Sequence, residues 1–300
     1  MNFNQIIFSA LLLICSFQVS AGDLLKRTVE ISKVDSVEIQ GPGVLEISQG
    51  DTELLEIIAS EKVMPRVDVS ARGSNLRLRL KERNGFGLFG FDQDVHFKLH
   101  VKDLKKIHVT GSADVKAMTD ITSDELVINR SGSGDILLMN VTCFSLRSSA
   151  AGAGDFKANI IDASIAELES AGAGDYSIEQ INAKEFIRFE SAGAGDLRIN
   201  QLTSKTFQLS MAGAGDAKVG SGEVESQEVS VSGSGDFYAS KLKSKVASIE
   251  LSGAANASVW VTDHLTGSAN GASDIEYYGN PAIKVNTSGA SSISSSGKAP

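Results

Sequence analysis

A short element, Gly-X-Gly-Asp, returns along this chain at a nearly fixed interval, and that interval limits the possible folds more than any other feature. Its aspartates are Asp135, Asp155, Asp175, Asp196, Asp216 and Asp236, so the period is 20 or 21 residues. A degenerate copy, Gly111-Ser-Ala-Asp114, precedes them. Gly253-Ala-Ala-Asn256, Gly271-Ala-Ser-Asp274 and Gly289-Ala-Ser-Ser292 follow. Ten copies cover most of the chain from 111 to 293. A period of this size signals stacked repeats.

Apolar residues between the turns fall into columns. One position after the aspartate stand Ile136, Phe156, Tyr176, Leu197, Ala217 and Phe237. Six after it come Val141, Ile161, Ile181, Leu202 and Leu242, with Gly222 the exception. Seven before it are Ile128, Leu168, Phe189, Leu209, Val229 and Ile249, with Ser148 out of line. Polar residues such as Arg198 and Asn200 separate the columns. Alternation of this kind means strands with one buried face.

A unit of this length made only of short strands cannot bury its own face, but it can when stacked on copies of itself. The expected fold is all-β: a right-handed parallel β-helix of about 20 residues per coil, the hand following from the preference of parallel crossovers. Leu168, Phe189, Leu209 and Val229 should then share one buried column. The Gly-X-Gly-Asp element becomes corner chemistry. Glycine tolerates positive φ and close backbone approach, and an aspartate carboxylate can accept from turn amides.

Residues 22–110 are β-rich without the strict period, as in "TVEISKVDSVEIQGPGVLEIS", and are expected to cap the open first coil. The repeats then occupy 111–293, and 294–300 form a flexible tail. Residues 1–21 carry no charge, hold an apolar run from Ile6 to Phe17 and end in Val19-Ser20-Ala21. They read as a signal peptide cleaved before Gly22. Ile14 is bulky where lipid attachment at Cys15 would want a small residue. Beyond the leader, Cys143 alone remains, so no intrachain disulfide is expected. No later apolar run is long enough to span a membrane. The formal net charge is −9, which argues against nucleic acid as a partner.

The chain resembles the family described as putative auto-transporter adhesin, head GIN domain. The resemblance runs from about residue 27 to about 293. It rests on "SVEIQGPGVLEISQGDTELLEI", "LKKIHVTGSADV", the Gly-X-Gly-Asp coils and "IEYYGNPAIKVNTSGASSI". It implies a secreted or envelope β-helical protein, with adhesion inferred from shape. No C-terminal membrane barrel follows, so the chain is not expected to transport itself.

The column Asp135, Asp155, Asp175, Asp196, Asp216 and Asp236 is read as structural corners rather than catalytic acids. Calcium is the weaker alternative, because the known calcium β-roll uses a different repeat. Phe86, Leu88, Phe89 and Phe91, in "RNGFGLFGFDQD", form either a plug over the first coil or an interaction loop. His96, His100, His108 and His264 lack metal-ligand spacing. Cys143 beside Phe144 reads as a packed thiol. Asn140, Asn256 and Asn286 head sequons that matter only in a glycosylating pathway. The lysines and arginines are not expected to gather in one column beside the aspartates, as a polysaccharide lyase would need.

The resulting expectation is an exported, non-enzymatic envelope protein without cofactor, periplasmic, at the outer surface or secreted. It would engage a protein or polysaccharide at the cell surface. The alternative is a carbohydrate-active protein, either a binder or a calcium-dependent lyase.

Overall fold

The computed structural model describes residues 15–19, 24–81 and 95–298. Phe86, Leu88, Phe89 and Phe91, most of the leader and the last two residues lie outside them. The described chain is a β-solenoid of about ten turns with about 20 residues per coil. Among the described residues the one helical element is a 3-10 turn, Met64–Arg66.

Six central coils are nearly unbroken strands: Ile136–Gly152, Phe156–Gly172, Tyr176–Gly193, Leu197–Gly213, Ala217–Gly233 and Phe237–Gly253. Each pairs in parallel with the next, and equivalent positions meet across coils. Ile136, Phe156, Tyr176, Leu197, Ala217, Phe237 and Ala257 form one ladder. Leu168, Phe189, Leu209 and Val229 form another, each at most 3% exposed, as the columns require. The core is continuous from Val29 to Ile275. Coil Tyr176–Gly193 carries the one extra residue as a bulge between Ala183 and Phe186, which is why one interval is 21 rather than 20.

Corners hold glycine because backbone lies directly beneath them. Gly152 has φ +124°, and a Cβ there would fall 2.0 Å from the Gly132 carbonyl oxygen. Gly222, the exception in its column, has φ +142°, and its Cβ would fall 1.8 Å from the Leu202 oxygen. Both positions require the residue without a side chain.

The N-terminal region stacks out of chain order. Ser36–Gln40 lies between Asn75–Leu80 and Lys106–Gly111, parallel to both. Val44–Gln49 lies likewise between Val95–Val101 and Asp114–Ala117. The chain therefore enters at the second coil, lays the outermost one, and returns to build the third. Parallel stacking thus begins ahead of Gly111, where the periodicity starts. Antiparallel strands then continue both sheets past the outermost coil. Val67–Arg72 pairs with Asn75–Leu80, and Leu54–Ser60 pairs with Val95–Val101. Leu24–Glu30 adds to Leu54–Ser60, and Cys15–Val19 adds to Leu24–Glu30.

At the other end, Ser292–Ser295 pairs with Asp274–Tyr278. The Ser296 amide donates to the Tyr277 oxygen and the Gly279 amide to the Gly297 oxygen. Regular hydrogen bonding therefore extends to Gly297, past residue 294 where the flexible tail was expected to begin. The backbone amides there still find partners on the preceding coil.

Candidate functional site

The corner aspartates form a spine. The amide of Asp155 donates to Asp135 Oδ1 at 2.8 Å, that of Asp175 to Asp155 Oδ1 at 3.1 Å, and that of Asp196 to Asp175 Oδ1 at 2.9 Å. Asp216 and Asp236 continue the chain, each at 2.9 Å. The Asn256 amide takes Asp236 Oδ1 at 2.8 Å, and the Ser292 amide takes Asp274 Oδ1 at 3.0 Å. The acceptor thus serves the amide one coil on, rather than an amide of its own turn.

Stacked carboxylates one strand spacing apart repel by about 1 to 3.5 kcal/mol per pair, for effective dielectrics between water and a protein surface. Neighbouring groups offset this at the outward oxygens. Lys157 Nζ lies 3.1 Å from Asp155 Oδ2. Arg198 bridges two coils, 3.3 Å from Asp175 Oδ2 and 2.6 Å from Asp196 Oδ2. Burial works against the charge of Asp155, but the Asp175 amide and Lys157 outweigh it and hold its carboxyl below the usual range. The Tyr238 hydroxyl donates to Asp236 Oδ2 at 2.6 Å, and this bond, with some burial, pushes the phenol up to about 12.

The basic residues contradict the sequence expectation. Lys116, Lys157, Arg198 and Lys218 all stand two residues after a corner aspartate, and strand alternation puts them on the face that the aspartates share. They do gather beside the spine. Two of the four, Lys157 and Arg198, are held in the ion pairs described above.

Among the hollows on the exterior of the described residues, two lie at coil corners. A groove of about 460 Å³ beside the spine is lined by Asp196, Leu197, Arg198, Asp216, Lys218, Tyr238, Ser240 and Ser258. A second, of about 580 Å³, lies where Cys143, Phe144, Ala163 and Ala183 turn another corner. Cys143 is half-buried there, and burial pushes its thiol up to about 11. Phe144 remains exposed.

The interior holds polar groups that the columns did not announce. Arg130 is buried, its Nη1 donates to the Gly134 oxygen at 3.1 Å, and its Nε has no partner among the described residues. Desolvation lowers its pKa. Ser148, the exception in its apolar column, meets the Tyr176 hydroxyl at 3.1 Å, and that hydroxyl donates to the Glu169 oxygen. The column break at Ser148 was the available signal for this pair. His96 and His100 face outward from Val95–Val101. Among the described residues no three His, Cys, Asp or Glu side chains cluster as a metal site would require.

Fold and spine together define the class: a β-solenoid with an aspartate-lined corner and a polar exterior. The chain belongs to the family described as Putative auto-transporter adhesin, head GIN domain, whose model matches residues 34–185 and 157–281. A putative adhesin from Parabacteroides distasonis is similar in structure, with TM-score 0.51 and 16% identity over 91% of this chain and 97% of that one. A putative adhesin from Parabacteroides merdae gives TM-score 0.48 and 18% identity over 91% and 96%. A putative lipid binding protein from Parabacteroides distasonis gives 0.47 and 20% over 91% and 97%. No curated protein sequence matches the chain. No helix among the described residues is long and apolar enough to cross a membrane.

Proposed function

We propose that this chain is an exported, non-enzymatic envelope protein that contacts a surface partner through the outside of its solenoid and needs no bound cation. The spine carries this reading. In every central coil an aspartate Oδ1 is taken by the next coil's amide, and at Asp155, Asp175, Asp196 and Asp236 a cation or phenol takes Oδ2. An acid repeated in successive coils and held this way serves the corner, since general acid–base catalysis uses one or two groups placed at a single point and not a row. Family membership agrees with a surface role. The carbohydrate-active alternative is favoured in its binding form by the groove beside the spine, which sets an exposed tyrosine among polar groups.

Fractionation, surface proteolysis of intact cells and attachment of cells with and without the gene test the proposal. The expected result is an envelope protein starting at Gly22 whose loss lowers attachment. Cytoplasmic protein retaining residues 1–21, or release of unsaturated uronate from a polysaccharide, overturns it.

A further inference from the structure

The groove beside the spine gathers its walls from successive coils. Lys218 and Tyr238 are paired neighbours, and Tyr238 is in turn opposite Ser258. Two residues past Lys218 stands Gly220, which adds no side chain to that face of the middle coil. Tyr238 is 44% exposed, so part of its ring is free for contact, and its hydroxyl is tied to Asp236 Oδ2, which fixes the ring's direction. Trp260, between buried Val259 and Val261, faces outward one coil further on.

The charges in the groove balance. Asp196 and Asp216 oppose Arg198 and Lys218. Arg198 is occupied by Asp175 and Asp196. Lys218 has no ion pair among the described residues, and Asp216 has an Oδ2 without a hydrogen-bond partner there. The free charged groups are therefore one acceptor and one donor beside an aromatic surface, with the Ser240 and Ser258 hydroxyls on the same lining.

We propose that this groove binds a neutral saccharide, one hexose ring lying on Tyr238 while adjacent hydroxyls donate to Asp216 Oδ2 and accept from Lys218 Nζ. A hexose carries hydroxyls that both donate and accept, and its C–H face suits an aromatic ring with a polar end. A uronate or phosphate would meet two carboxylates without an excess of cations. A lipid tail would need a continuous apolar lining, which these residues do not supply. This deepens the surface-interaction reading and rests on it, with the glycan as the surface partner.

Titration calorimetry of the mature protein with cellohexaose, laminarihexaose and mannohexaose, with hexagalacturonate as the charged comparison, tests it. At least one neutral hexaose should bind. Tyr238→Ala should weaken that binding about tenfold or more, and Tyr238→Phe, which keeps the ring, less than about threefold. Melting curves confirm that both variants fold. The proposal is overturned if no neutral hexaose binds, if hexagalacturonate is preferred, if Tyr238→Ala binds like wild type, or if the Phe variant loses as much as Ala. Cell attachment that survives Tyr238→Ala contradicts the groove as the contact but leaves the surface role standing. Absence from the envelope removes the surface role itself.

Discussion

Each corner aspartate has two oxygens with separate tasks. Oδ1 faces along the stack and takes an amide from the next coil, while Oδ2 faces outward to solvent, a cation or, at Asp236, a phenol. The task of Oδ1 needs an acceptor but no charge, which explains why Asn256 and Asp274 can follow one another in the same ladder. Asp196→Asn should therefore lose little stability, whereas Asp196→Ala should lose roughly 0.5–2 kcal/mol, by analogy with a lost side-chain cap. Hydrogen exchange adds a direction: Asp196→Ala should deprotect the Asp216 amide, one coil on, and leave the Asp196 amide bonded to Asp175. Loss of protection within the Asp196 turn instead would contradict the inter-coil spine. Cys143 gives a second expectation at this scale. With its thiol pushed up to about 11, the thiolate is scarce at neutral pH and grows as pH rises toward that value. In a Cys15→Ser protein, alkylation at pH 8 should run roughly tenfold slower than for an ordinary thiol, the smaller thiolate fraction outweighing its higher nucleophilicity. A rate equal to that of free cysteine would show that the thiol is not desolvated.

Each coil is held by ladders rather than by contacts within itself. Phe189 stands between Leu168 and Leu209 and meets the Tyr176 ring edge-on at 5.4 Å between centroids. Its replacement by Ala removes a fully buried ring that three coils share, and should cost roughly 3–5 kcal/mol in denaturant unfolding. A cost below 1 kcal/mol would mean that the column is not packed as described. The columns at Leu168, Phe189 and Leu209 were legible because every coil repeats the same alternation, so one pairing rule places them all. Arg130 was not legible in the same way. It occupies an apolar column position between Val109 and Ala150, and only its distance from Gly134 and the glycines above it shows where its guanidinium lies. The cations beside the spine were legible in principle, since Lys157, Arg198 and Lys218 share one offset from the aspartate. The groove was legible only in part: Tyr238 shares the offset of Lys218, but neither the tie of its hydroxyl to Asp236 nor the hollow itself follows from the repeat.

At the scale of the molecule, the stacked coils run in chain order from Lys106 onward, and ahead of that point they do not. Periodicity reveals a solenoid only where neighbours in sequence are neighbours in space, so Asn75–Leu80, Ser36–Gln40 and Val95–Val101 read as part of a capping β segment although they belong to two coils of the stack. The antiparallel strands beyond them pair the edge of the outermost coil, which otherwise presents open amides and carbonyls to another chain. From Asp114 to Asp274 runs the spine, with Asn256 as its one uncharged acceptor, built from hydrogen bonds and fixed cations of the chain itself. Thermal unfolding of the mature wild-type protein in calcium and in chelator tests this most directly. The same melting temperature is expected in both. A large drop in chelator would contradict it, showing that the aspartate column is a cation ladder whose metal holds the coils together.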